Sequence, residues 1–119
     1  MDYKFSFEKL KVWVLAKELS VDIYRISESF PENEKFGLQS QIRRAAISVS
    51  SNIAEGSSRL SVKSKGNFYQ IAYSSLMETY SQLHVASDLG YIKLNSIIVD
   101  KVIAISNLLN SLHKSTKRS

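Results

Sequence analysis

Five hydrogen-bonding side chains, Gln41, Arg44, Ser48, Asn52 and Glu55, recur at intervals of three and four residues. On a helix at about 100° per residue they fall within roughly 80° of one another. They lie directly beside an apolar stripe of Leu38, Ile42, Ala45, Val49 and Ile53. A solvated face more usually mixes lysine and glutamate. A polar row at the margin of a core can satisfy itself across helices or between subunits, or can hold a ligand. Arg43 is taken to point further outward than Arg44 and is expected to be the freer of the two to meet phosphate. Glu55 and Glu78 could form a carboxylate pair for acid–base chemistry. The competing expectation is that both belong to a structural polar network, each serving Arg or Asn between helices.

Other chemistries find no residues. The chain has no cysteine, which excludes disulfides, thiolate metal sites and cysteine nucleophiles. Its two histidines, His84 and His113, lie on different predicted helices without a second ligand at a metal-binding interval. No glutamate is followed three positions later by histidine, as a di-iron bundle requires. The nucleophile elbow, the phosphate-binding P-loop and the dinucleotide fingerprint are missing from the sequence. A non-enzymatic protein without metal or cofactor is expected.

The net charge is +5, from 16 basic and 11 acidic residues. Arg59, Lys63 and Lys65 surround the start of the third predicted helix, and Lys114, Lys117 and Arg118 follow the fourth; neither stretch contains Asp or Glu. Without these six the remaining charges nearly balance, so the excess is local. Lysine at a helix N-terminus opposes the macrodipole, whereas a phosphate there would meet amide donors and cations together. The six, with Arg43, are the candidate nucleic-acid contacts, the alternative being a solubilising tail. Tyr69, Tyr73, Met77, Tyr80 and His84 form another row, read as lying well off the core stripe of the third helix. Tyrosine and methionine suit protein interfaces, and aromatics can also stack on unpaired bases.

These residues must be positioned by helices. With 119 residues, 44% hydrophobic and 23% charged, the chain suits one soluble domain. One proline and four glycines disfavour many short strands. Apolar periodicity predicts helices over about 8–29, 33–56, 62–89 and 95–113. Phe30-Pro31 closes the first, Gly56 is expected to end the second in left-handed geometry, Ser61 caps the third and Gly90 stops it. Short connections imply antiparallel neighbours, hence an all-α, up-down-up-down four-helix bundle about 30 Å long. In that topology both basic clusters share one end, while Glu28, Glu32, Glu34 and Asp88 occupy the other. The first helix carries a second apolar stripe, Leu10, Trp13, Val14, Val21 and Tyr24, expected to meet another subunit. No apolar run reaches the roughly 20 residues of a membrane span, and the N-terminus lacks a signal pattern; a cytoplasmic location is expected.

Leu10, Trp13 and Ala16, then Phe30-Pro31, Glu34, Gly37-Leu38 and Gln41-Ile42-Arg43-Arg44-Ala45, lead into Ser48 and Asn52-Ile53-Ala54-Glu55-Gly56. With Ile71-Ala72, Ser75-Leu76, Glu78, Gln82-Leu83 and Leu89-Gly90-Tyr91, the pattern resembles the four-helix-bundle proteins encoded in intervening sequences of bacterial 23S ribosomal RNA genes. The resemblance implies an antiparallel bundle assembled into a five-membered ring. It also implies kinship with the accessory protein of diversity-generating retroelements, which binds nucleic acid and a reverse transcriptase. The sequence departs from the family pattern at Ser74, Thr79, Tyr80 and Lys63 to Lys65. The leading expectation is an oligomer that binds RNA or DNA through its basic end. The alternative is a scaffold for a polypeptide such as a reverse-transcriptase-like enzyme, held by the tyrosine and methionine row, with Trp13 and Tyr24 as further interface residues.

Overall fold

A computed structural model of the chain describes residues 2–117. Four α-helices follow one another, α1 (Lys11–Ser27), α2 (Leu38–Ser58), α3 (Val62–Asp88) and α4 (Ser96–Lys117). The described residues contain no strand.

Local contacts set the starts of α1, α2 and α3, and α1 and α2 begin later than the periodicity predicts. Ser6–Lys9 forms a separate 3-10 turn. Glu8 Oε1 accepts the backbone N–H groups of Lys4 (3.1 Å) and Phe5 (2.9 Å), and an extended Leu10 then resets the chain before α1. Before α2, Pro31 opens a short 3-10 turn, Glu32–Glu34, and Gly37 interrupts the path at φ −108°, ψ −114°. Glu34 Oε1 accepts the N–H of Leu38 (3.1 Å), satisfying a free donor of the first turn of α2. Ser61 Oγ caps α3 by accepting from Ser64 N (3.1 Å). Gly90, at φ 79°, closes the connection after α3 in the left-handed region, and it alone among the described glycines has positive φ.

Gly56 does not end α2. It lies inside the helix, buried, because α3 passes so closely that a Cβ would stand 2.6 Å from Tyr69 Cε1 and 3.0 Å from Phe68 Cβ. The glycine serves a close helix crossing rather than a C-cap.

The buried stripes are Val12, Ala16, Leu19 and Ile23; Ile42, Ala46, Val49 and Ile53; Ala72, Leu76, Leu83 and Ala86; and Ile98, Val102, Ile105 and Leu109. Hydrogen bonds fix the helix order. Ser20 Oγ donates to Ala46 O (3.1 Å) and Gln39 Nε2 to Ser27 O (2.8 Å), between α1 and α2. Ser75 Oγ donates to Ser48 Oγ (2.8 Å), between α3 and α2. In the pairs Ser20–Ala46 and Ser27–Gln39 one number rises as its partner's falls, and Gly56–Tyr69 and Ser48–Ser75 do the same, so neighbouring helices run in opposite senses. Lys101 Nζ ties α4 to α1 through Asp22 Oδ2 (2.6 Å) and Glu18 Oε1 (3.7 Å).

The molecule measures 46 × 30 × 26 Å. It exceeds the expected length because α3 alone has 27 residues, about 40 Å of helix. Among the described residues no helix is long and apolar enough to cross a membrane.

Candidate nucleic-acid interface

The alternating helix directions bring the end of α2, the start of α3 and the end of α4 to one pole. Gly66, one turn into α3, lies against α4: a Cβ there would stand 3.1 Å from Thr116 Oγ1 and 3.9 Å from His113 Nε2. Arg59, Lys63, Lys65 and Lys114 therefore share this end. The backbone of Lys117 continues α4 there, and Arg118 lies outside the described residues.

The four cations are not equivalent. Arg59 stacks over the Phe68 ring at 4.5 Å and stands 4.0 Å from Glu55 Oε2, a long i,i+4 pair between half-exposed side chains. Such a pair is weak and screened by salt, so it lowers the local charge without cancelling it. Lys65 Nζ donates to Ser57 O (3.0 Å), which closes the turn between α2 and α3 and engages one of its N–H donors. Lys63 and Lys114 are exposed, and among the described residues no carboxylate pairs with either.

Sequence reasoning overlooked a further contribution. The 3-10 turn before α1 packs beside the last turn of α2, where Phe5 and Phe7 share a hollow with Ala54 and Ser57. Lys9 and Lys11, both exposed, thereby join the same pole. The signal was present in the topology, since the start of an antiparallel first helix must meet the end of the second. Glu8, the one carboxylate of residues 4–11, is engaged by the amides of Lys4 and Phe5. Both helices that start at this pole, α1 and α3, lack an acidic residue in the first turn and carry lysine there instead.

Arg43 and Arg44 exchange the roles expected of them. Arg43 is half-buried: its Nε donates to Ser27 Oγ (2.7 Å), its Nη2 to Tyr24 O (2.9 Å), and its guanidinium lies 4.6 Å from the Tyr24 ring centre. Arg44 is exposed, with one bond to Ser40 Oγ (3.2 Å). The helical angles agree, because Arg43 stands about 100° from buried Ile42 and Arg44 about 160°. Arg43 is also remote from the cationic pole, about 24 Å along α2 from Arg59.

The polar row on α2 is connected only in its middle. Asn52 Nδ2 donates to Ser48 O (2.8 Å) and Ser48 Oγ (3.0 Å), and Ser75 adds its hydroxyl from α3. Glu55 faces Arg59, and Glu78 accepts from Gln82 Nε2 (3.3 Å) on its own helix. Gln41 and Glu78 line a hollow of about 280 Å³ with Arg44, Ser48 and Ser75. The Glu55 and Glu78 carboxylates thus engage different partners.

Among the expected interface residues, Tyr69 is corrected: it is 4% exposed, packed on Gly56, and belongs to the interior. Its position lies only about 20° from buried Leu76 around the helix, at the edge of the core stripe rather than off it. Burial raises its phenol pKa. Tyr73 and Tyr80 are half-buried against the core, Tyr80 edge-on to His84 at 4.6 Å, and Met77 is exposed. Trp13 packs on Phe7 at 4.9 Å, so part of its ring is covered within the chain.

No curated protein matches the chain significantly. The family model described as 23S rRNA-intervening sequence protein matches residues 8–111, which contain α1, α2, α3 and all but the last six described residues of α4. The four antiparallel helices agree with that match, and the chain belongs to the 23S rRNA-intervening sequence protein family.

Proposed function

We propose that the protein is a non-enzymatic, homo-oligomeric, cytoplasmic bundle that binds RNA by holding its phosphate backbone against the cationic pole. One observation carries this reading: two helices start at that pole, and both place lysine where the macrodipole favours acid. Antiparallel packing brings helix C-termini to the same end, so helix dipoles largely offset one another and the side chains set the sign of the potential. Lys63 and Lys114, unpaired by any described carboxylate, are the leading phosphate contacts; Lys9, Lys11 and Arg59 widen the surface. Contacts of this type position a backbone and carry little sequence information. Assembly of several subunits, in a ring of the kind the family resemblance implies, multiplies a weak site into a strong one.

Lys63→Glu with Lys114→Glu tests the reading. Both side chains are exposed, so the fold should be kept. The double variant is expected to lose affinity for a blunt RNA duplex at low salt. Wild-type binding that ignores salt, or that the double variant retains in full, overturns the proposal.

A further inference from the structure

At the end of the bundle away from the cationic pole, α1, α2 and the connection between them line an open groove of about 470 Å³. Its lining includes Tyr24, Lys35, Phe36, Gln39, Arg43 and Arg44, three of them cations and none a carboxylate. Phe36 is 90% exposed, and Lys35 Nζ lies 5.8 Å from its ring centre. Arg43 is fixed on three sides, by Ser27 Oγ, by Tyr24 O and by the Tyr24 ring. Its remaining N–H donors are therefore ordered before any ligand arrives, which lowers the entropic cost of binding. Gln39 spends its amide nitrogen on Ser27 O and keeps its carbonyl oxygen as an acceptor.

We infer that this groove binds an unpaired stretch of RNA, with a base stacked on Phe36 and its phosphates held by Arg43, Arg44 and Lys35. Three lining cations suit an anionic occupant inside the groove, while Glu34 at its margin is engaged by Leu38 N and the Tyr91 hydroxyl. An exposed aromatic face beside cations is the combination that holds single-stranded nucleic acid, where any base can stack. A free amide acceptor adds a partner for an exocyclic amino group on a base edge. The inference extends the proposed RNA binding to a second, separate site that recognises unpaired nucleotides, whereas the pole recognises phosphate alone.

The test measures wild type, Phe36→Ala and Lys63→Glu/Lys114→Glu against a short single-stranded RNA and a blunt duplex of the same sequence. Phe36→Ala is expected to weaken single-strand binding by at least about fivefold and to leave duplex binding unchanged. Unchanged single-strand affinity in Phe36→Ala overturns the groove. If Phe36→Ala shows its loss while the lysine variant binds the duplex normally, the pole fails and the groove stands. A fall in oligomer mass on Phe36→Ala would assign the groove to self-contact and overturn the inference. Loss of binding to a peptide of alternating glutamate and leucine, with RNA binding intact, would make it a peptide site and also overturn it. Phe36 is exposed, so the variant's melting temperature should match wild type.

Discussion

Gly56→Ala isolates the close approach of α2 and α3 that sets the start of α3 at the cationic pole. Inside a helix the substitution gains about 1 kcal/mol from backbone propensity. Against this, the new Cβ would stand 2.6 and 2.9 Å from Tyr69 ring carbons and 3.0 Å from Phe68 Cβ. Tyr69 is buried, so its ring has no solvent to swing into, and overpacking of this kind costs about 1–3 kcal/mol. The clash wins, and a net loss of about 1 kcal/mol lowers the melting temperature by about 4 °C for a chain of this size. Gly66→Ala is the control. Its Cβ would meet chiefly Thr116 Oγ1 at 3.1 Å, a contact relieved by a shift of a few tenths of an ångström in the last turns of α4 that keeps the bond from Thr116 Oγ1 to His113 O (2.6 Å). That variant is expected to match or exceed wild type in thermal melts followed by far-ultraviolet circular dichroism. Should Gly56→Ala stabilise as much as Gly66→Ala, the close-approach argument is wrong.

Further outcomes follow from other contacts. Lys101→Met leaves Asp22 and Glu18 facing each other without their cation and should cost about 1 kcal/mol in denaturant unfolding, with RNA affinity unaltered. The Tyr91 phenol donates to Glu34 Oε2 (2.9 Å); this bond, burial and the Glu34 charge raise its pKa, and burial raises that of Tyr69. Both folded values lie above the ordinary 10.0, so their contribution is complete below that pH and is lost as pH rises through the folded values. Unfolding midpoints should fall above pH 10 more steeply in wild type than in Tyr91→Phe; parallel profiles would exclude a role for this phenol. Ser75→Ala removes the hydroxyl donated to Ser48 and should cost about 1 kcal/mol, read as a shifted urea midpoint with an unchanged slope.

The helical registers are legible because burial imposes them: Val12, Ala16, Leu19 and Ile23 on α1 and Ile98, Val102, Ile105 and Leu109 on α4 recur at three- and four-residue intervals and are buried, while Ile26 and Leu112, which continue the same spacing, are half-buried at the ends. Ser61 and Gly90 were legible through local chemistry, a cap and a left-handed turn. Gly56 was not, since a glycine near a helix end looks the same whether it turns the chain or admits a neighbour. Tyr69 was misplaced by a boundary effect: a residue 20° outside an ideal stripe is buried when the adjacent helix comes close. The convergence of Lys63 with Lys114 was legible from topology. The division of labour within the pole depends on contacts across turns, such as Lys65 with Ser57 O, that no spacing rule encodes. Arg43 shows the same limit, as its partners Ser27 and Tyr24 sit on another helix.

The salt dependence of RNA-duplex binding tests the central claim most directly. Removing one lysine–phosphate interaction reduces the slope of log affinity against log salt by about 1, so Lys63→Ala with Lys114→Ala should flatten it by about 2. An identical slope in wild type and double variant would contradict the assignment of phosphate contacts to this pole.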